Sequence, residues 1–162
     1  AYNSQYGFNS IHLLMINLFG PGDDFDLETS HVIPAMIRKM DYAKKNSLKS
    51  VTLWGDGSPT REFLYVTDAA RAILKCMVDY NSPKPINIGN GKEISIKDLV
   101  EKIKLITGFN GEVFWDKSKE NGQPRRCLDV SILENDLNFK CDTNFESGLR
   151  ETYEFYKKNI KT

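Results

Sequence analysis

The sequence has 162 residues, 40% of them apolar, and its 22 basic side chains balance 22 acidic ones to a formal net charge of zero; this is enough for one globular core or part of a larger one, and it excludes a disordered tail. With no global field, binding of nucleic acid or a membrane surface would need a local basic patch, and only short ones occur. The longest apolar run, Leu13 to Ile16, is far below the ~20 residues of a membrane span, no signal-peptide order is seen, and Cys76, Cys127 and Cys141 form no CxxC pair, so a cytoplasmic protein with reduced thiols and no metal is expected.

In chain order, Ala1 to Tyr6 reads as the last turns of a helix closed by Gly7, and without an initiator methionine the chain is expected to be a cut fragment. Ile11 to Ile16, bounded by Gly7 and Gly20-Pro21-Gly22, predicts a strand buried on both faces of a parallel sheet, with His12 a packed or edge residue. Val32, Ile33, Met36, Ile37 and Met40 recur at helical spacing up to Lys45, with Pro34 in the first turn and Ser30 or a neighbour as cap. Ser50 to Trp54 and Glu62 to Val66 flank Gly55-Asp-Gly-Ser-Pro59 and predict a hairpin-like pair. Thr67-Asp68 opens a helix with Ala69, Ala70, Ile73, Leu74 and Met77 on one side, and Pro85 to Ile88 is a short strand ending in Gly89-Asn-Gly91. Ser95 caps a helix through Thr107 that stops at Gly108, and Glu112 to Trp115 is a last short strand. Ser131-x-x-Glu134 and Thr143-x-x-Glu146 read as capping boxes, the second opening a helix striped by Phe145, Leu149, Tyr153 and Tyr156. No repeat or linker interrupts this alternation, so residues 1–162 are expected to form one α/β unit.

Four polar clusters carry possible chemistry. Asn17 follows the first strand, where open α/β sheets bind ligands; its amide could bond a phosphate or ribose, or cap the strand while Gly20-Pro21-Gly22 turns. His31, beside Ser30 at a helix start, could move a proton near neutral pH, or serve as a cap or surface residue. Trp54 and Arg61 flank one tight turn, so a ring could stack on a base while a guanidinium grips a phosphate; alternatively Trp54 is core and Arg61-Glu62 is surface. Lys117 to Arg126 is a Gly/Pro loop whose two arginines could close over a diphosphate, or be a solvated charge run.

Asn17-Leu-Phe-Gly-Pro-Gly-Asp-Asp-Phe25, Ser30-His-Val-Ile-Pro-Ala35 and Trp54-Gly-Asp-Gly-Ser-Pro-Thr-Arg-Glu-Phe-Leu-Tyr-Val-Thr-Asp68 together resemble the GDP-L-fucose synthase family of extended short-chain dehydrogenases/reductases. Ile86-Asn-Ile-Gly89, Glu93 to Ile96, Ser118-Lys119 with Gly122-Gln-Pro-Arg-Arg126, Leu128 to Val130 and Gly148 to Tyr153 continue the likeness to the C-terminus. The Arg-Glu-Phe and Asn-Ile-Gly segments recur across nucleotide-sugar enzymes of the superfamily, whereas Ser-His-Val-Ile-Pro-Ala and the Gly-x-Pro-Arg loop are more specific.

The resemblance implies the end of a Rossmann-like parallel sheet plus a small α/β substrate-binding domain. The intact enzyme would be an NADPH-dependent 3,5-epimerase-4-reductase that converts GDP-4-keto-6-deoxy-D-mannose to GDP-L-fucose. It puts His31 on the catalytic histidine, Asn17 and Leu18 between cofactor and sugar nucleotide, and Asn17, Lys39, Trp54, Arg61 and Arg126 on substrate-binding positions. Lys39 stands where arginine is usual, Arg126 where lysine is, Asp24 where asparagine is and Phe19 where tyrosine is; charge is kept at the first two, geometry is not. The resemblance places the Gly-x-Gly-x-x-Gly fingerprint, the Tyr-x-x-x-Lys pair and the catalytic cysteine upstream of Ala1. The chain is therefore expected to be the C-terminal substrate-binding half, inactive and monomeric alone although the family dimerises, with a GDP-sugar as partner and neither nucleic acid nor membrane. Alternatives are the substrate domain of a UDP-, dTDP- or CDP-sugar enzyme and a non-catalytic binding module.

Overall fold

A computed structural model describes residues 2–160; Ala1 lies outside them. The elements are α1 (Tyr2–Tyr6), β1 (Leu13–Met15), β2 (Asn17–Phe19), α2 (Val32–Lys45), β3 (Ser50–Trp54), β4 (Thr60–Tyr65), α3 (Val66–Asp79), β5 (Ile86–Ile88), β6 (Glu93–Ser95), α4 (Ile96–Thr107), β7 (Glu112–Asp116), β8 (Arg125–Arg126) and α5 (Phe145–Asn159), with a π-helical turn at Ile132–Asp136. This is the expected mixed α/β class with parallel strand pairs.

The first apolar run departs from its expectation. It is not one strand buried on both faces: β1 pairs in parallel with β5, and β2 then pairs in parallel with β4. The change of partner falls at Ile16, whose N–H still donates to Ile88 O at 3.2 Å. Leu14 on β1 is exposed, whereas Ile16, at the change of partner, is buried in the core with Leu64, Ile86 and Ile88. The expected hairpin is also absent. β3 pairs in parallel with β7, whereas β4 takes β2, antiparallel β6 and parallel β8, so the runs flanking the Gly55–Pro59 turn belong to different sheets. Local sequence predicts the turn, but partner choice is decided by non-local packing.

β4 joins two cores. Phe63 and Tyr65 pack with Ile33, Ile37, Met40, Leu99, Ile103 and Tyr156 between the helices α2, α4 and α5. Leu64, pointing the other way as strand alternation requires, packs with Ile16, Ala72, Cys76, Ile86 and Leu133. The expected stripe on α3 is out of phase. Its buried positions are Asp68, Ala69, Ala72 and Cys76, and Leu74 and Met77 are exposed. Small residues let α3 approach the sheet, and Asp68 turns inward because Thr143 N donates to its carboxylate at 3.0 Å.

Helices α2, α4 and α5 fall where the periodicity puts them. Ser95 caps α4 by accepting from Asp98 N, and Gly108 ends it at φ +69°. The cap of α2 is His31, the neighbour of Ser30 that the expectation allowed, and it makes no side-chain bond. Two cap assignments differ: Asn144, not Thr143, caps α5, and Ser131 is itself helical.

One buried acid fixes the junction of these parts. Glu62, fully buried rather than a surface neighbour of Arg61, accepts hydrogen bonds from Asn90 N, from Gly91 N at 2.9 Å and from Leu128 N at 2.8 Å. A Cβ at Gly89 would lie 2.2 Å from Glu62 Oε1, so only glycine fits there. Glu62→Ala would leave three part-buried backbone donors without this partner and is expected to cost about 3 kcal/mol, read from the urea midpoint at constant m.

Candidate functional site

Two clefts meet where β2 ends and α2 begins. The segment between them is folded by its own acids: Asp24 accepts from Thr29 Oγ1 at 2.6 Å and from Asp26 N at 2.9 Å, and Asp26 accepts from Glu28 N. Buried Phe25 anchors it against Tyr156, and Arg38 Nη1 on α2 donates to Phe25 O at 2.8 Å. His31 is thereby fixed at the start of α2. Its carbonyl accepts from Ala35 N while its imidazole takes no part in capping, so the ring stays exposed and lines both clefts.

The first cleft, about 410 Å³, brings together Asn17, Leu18, His31, Lys39, Trp54 and Arg61 over an apolar floor that includes Pro34 and Ile96. Lys39 sits at its rim and also lines a groove on the far side of α2. Trp54 is not core: it is 70% exposed at the end of β3, with Lys119 Nζ 5.8 Å from its ring centroid. Arg61 donates to Thr60 O through Nη1 at 2.7 Å. Asn17 Nδ2 donates to Glu62 O at 2.9 Å, tying β2 to β4, so the structure uses half of this amide as the strand-capping alternative supposed.

The second cleft, about 500 Å³, is walled by Met15 to Asp23, His31, Val66 and Arg126. Arg126, on β8 in register with Arg61, lies here and not with Lys39, Trp54 and Arg61. The two arginines of the 125–126 pair do not act together. Arg125 Nε lies 3.0 Å from both oxygens of Glu93. The hydroxyl of Thr60 and then this arginine hold the Glu93 carboxyl below its usual range.

The strap before β8 reaches the first cleft through Glu120 and Asn121, which the sequence reading did not single out. Asn121 Oδ1 accepts from Asp56 N at 2.9 Å, latching the strap to the turn after β3, and Asp116 accepts from Ser118 Oγ at 2.6 Å at its start. Asp23 was also missed. Its Oδ1 accepts from Asp24 N at 2.9 Å while Oδ2 is buried with no partner among the described residues, and burial pushes its carboxyl upward. An acid directly after a strand-ending Gly-Pro-Gly turn was the available signal.

A profile of the NAD dependent epimerase/dehydratase family matches residues 1–89. The chain belongs to this family. It is 42% identical over 160 residues to a probable GDP-L-fucose synthase 1 of Oryza sativa subsp. japonica, covering 99% of this chain and 48% of that protein. A solved GDP-L-fucose synthetase from Naegleria fowleri bound to NADP superposes with TM-score 0.88 at 32% identity, over 94% of this chain and 48% of that one. The UDP-glucose 4-epimerase of Thermotoga maritima, solved with UDP-glucose, gives TM-score 0.87 at 26% identity, over 99% of this chain and 50% of that one. The chain spans about half the length of the curated relatives it matches.

Within this epimerase/dehydratase chain two Tyr-x-x-x-Lys spacings occur, and neither is at the clefts. Tyr80 donates to Lys84 O at 3.0 Å, and Tyr153, buried in the core, donates to Asp41 Oδ1 at 2.7 Å. Burial and then that carboxylate push the Tyr153 phenol well above its usual range. Among the described residues no helix is long and apolar enough to cross a membrane, and no group of three His, Cys, Asp or Glu could hold a metal ion. Asn121→Ala is expected to unlatch the strap at a cost of about 1 kcal/mol, seen as faster hydrogen exchange at Asp56 N–H with the core amides unchanged.

Proposed function

We propose that residues 1–162 are the substrate-binding region of an NADPH-dependent GDP-4-keto-6-deoxy-D-mannose 3,5-epimerase-4-reductase, the activity that makes GDP-L-fucose. The observation carrying this reading is that the two clefts share Asn17, Leu18 and His31. A nucleotide diphosphate laid in the first cleft would deliver its sugar to an imidazole that the helix cap leaves free. Trp54 offers a face for the guanine, and Lys39 and Arg61 offset the diphosphate charge. Arg126 reaches the sugar side from the second cleft. His31 gives or exchanges a proton at the carbons beside the C4 ketone, a task suited to a side chain that changes charge near neutral pH.

The dinucleotide that the family uses supplies the hydride for the ketone. This chain fits only its reactive end. Asn17 keeps its amide oxygen and Leu18 is 39% exposed at the cleft wall, an apolar and amide surface suited to a nicotinamide ring, while no Gly-x-Gly-x-x-Gly is present in the sequence for its pyrophosphate. On this reading the chain alone does not turn over the keto sugar. Likeness to a UDP-sugar epimerase of the same architecture supports a second reading, in which the first cleft takes UDP.

Parallel calorimetric titrations with GDP, UDP and NADPH test this. GDP is expected to bind at least tenfold more tightly than UDP, and Arg61→Ala to weaken GDP by at least tenfold, about 1.4 kcal/mol. UDP preference would move the assignment to another sugar-nucleotide enzyme. No binding by the folded chain would count against a preformed nucleotide cleft. Consumption of NADPH with the GDP-keto sugar by this chain would overturn its inactivity.

A further inference from the structure

The strap before β8 is pinned along the first cleft at several points. Lys119 Nζ stands 5.8 Å from the Trp54 ring centroid, Asn121 Oδ1 accepts from Asp56 N at 2.9 Å, and a Cβ on Gly122 would lie 3.7 Å from Arg61 Nη2. Thr60 N then donates to Pro124 O at 2.9 Å. Glu120 therefore sits on a fixed stretch of chain between the aromatic ring and the guanidinium, the two groups assigned above to base and diphosphate. It is the one acid among the described residues that line this cleft, in the company of His31, Lys39 and Arg61. It is exposed, and no hydrogen bond or ion pair engages it among the described residues. Cations gathered for a diphosphate are opposed by a carboxylate in the same cleft, unless that carboxylate meets donors on another part of the ligand.

We propose that Glu120 is the residue that selects the base, its carboxylate accepting from the N1–H and the 2-amino group of a guanine stacked on Trp54. The inference rests on the nucleotide reading of the first cleft and adds to it the group that makes the choice. Guanine presents two adjacent donors to the two oxygens of a carboxylate, and both bonds are charge-assisted. Uracil presents one N–H between two carbonyl oxygens, so the same carboxylate gains one bond and meets two like-signed dipoles. Carboxylates also accept from ribose hydroxyls. Here, however, the residue just before Glu120 reaches the Trp54 ring, which puts the acid at the base end of the cleft.

Calorimetric titration of the whole chain and of Glu120→Ala with GDP, UDP, 2′-deoxy-GDP and inosine diphosphate, which lacks the 2-amino group, tests this. The sign of the effect decides. Loss of a bystander acid beside Lys39 and Arg61 would tighten all the diphosphates together. The expected result is instead that GDP and 2′-deoxy-GDP weaken by about tenfold or more, inosine diphosphate weakens less, and UDP tightens or stays within about twofold. The preference of the unaltered chain for GDP over inosine diphosphate then shrinks in the variant. Glu120→Gln, which keeps one acceptor, is expected to fall between the two. GDP binding that is unchanged or tightened in Glu120→Ala would overturn the proposal and leave the nucleotide reading standing. Weakening of GDP with 2′-deoxy-GDP unaffected would overturn it in favour of a ribose contact. Failure of the folded, unaltered chain to bind any of the four would overturn the nucleotide reading and this inference with it.

Discussion

The Glu62 carboxylate is the constraint on which the rest of this structure depends. A fully buried acid is tolerated only when its oxygens are satisfied, and here backbone N–H groups from two separate loops do this. The consequence is geometric. The chain after β5 and the chain after β8 must both close on one point of β4, and Asn90 Nδ2 adds a second tie to Phe63 O at 2.9 Å. β4 is thus gripped at Glu62 and Phe63 while Arg61, one residue earlier, faces the first cleft. The same closure draws β8 into register and sets Arg126 opposite Arg61.

Stability and site chemistry diverge at the start of α2. Serine, threonine, aspartate or asparagine at a helix cap adds about 1 kcal/mol over a residue that cannot accept from the first turn. His31 occupies the cap and makes no such bond. The helix is held instead by Ile33, Ile37 and Met40 in the core and by the Arg38 tie to Phe25 O. Packing that strong permits a cap whose side chain is left for other work.

What could be read from the sequence follows from how local each signal is. α4 was legible to the residue because its cap, its apolar period and its terminal glycine all lie within the segment. The strand partners were not legible: nothing inside Ser50–Trp54 tells that its neighbour is Glu112–Asp116 rather than the nearer run across a tight turn. Charge misled at Glu62: one alternative put it at the surface beside Arg61, yet it is buried because distant backbone donors meet it. The phase of α3 failed for a related reason, since close approach to the sheet favours Ala69, Ala72 and Cys76 over the larger Leu74 and Met77. Asn17, Leu18, His31, Lys39, Trp54 and Arg61 were singled out from the sequence, and the structure gathers all six around one cleft. Arg126 was named with them but falls on the other side, because the register of a two-residue strand cannot be read from Arg125-Arg126 itself.

Residue type alone does not separate structural polar groups from available ones; hydrogen-bond occupancy does. Arg125 and Arg126 are adjacent and identical in chemistry, but the first is held by Glu93 and only the second lines a cleft. Asp23 and Asp24 are adjacent acids, and again one is committed while the other keeps a buried oxygen unpartnered. Asn17 divides the distinction within one side chain, its amide nitrogen fixing two strands and its oxygen left at the meeting of the clefts. A buried group with unused capacity is costly unless something meets it in the working state. Asp23 Oδ2 and the Ser30 hydroxyl are two such groups, and both lie on the segment that runs from the end of β2 to His31 at the start of α2.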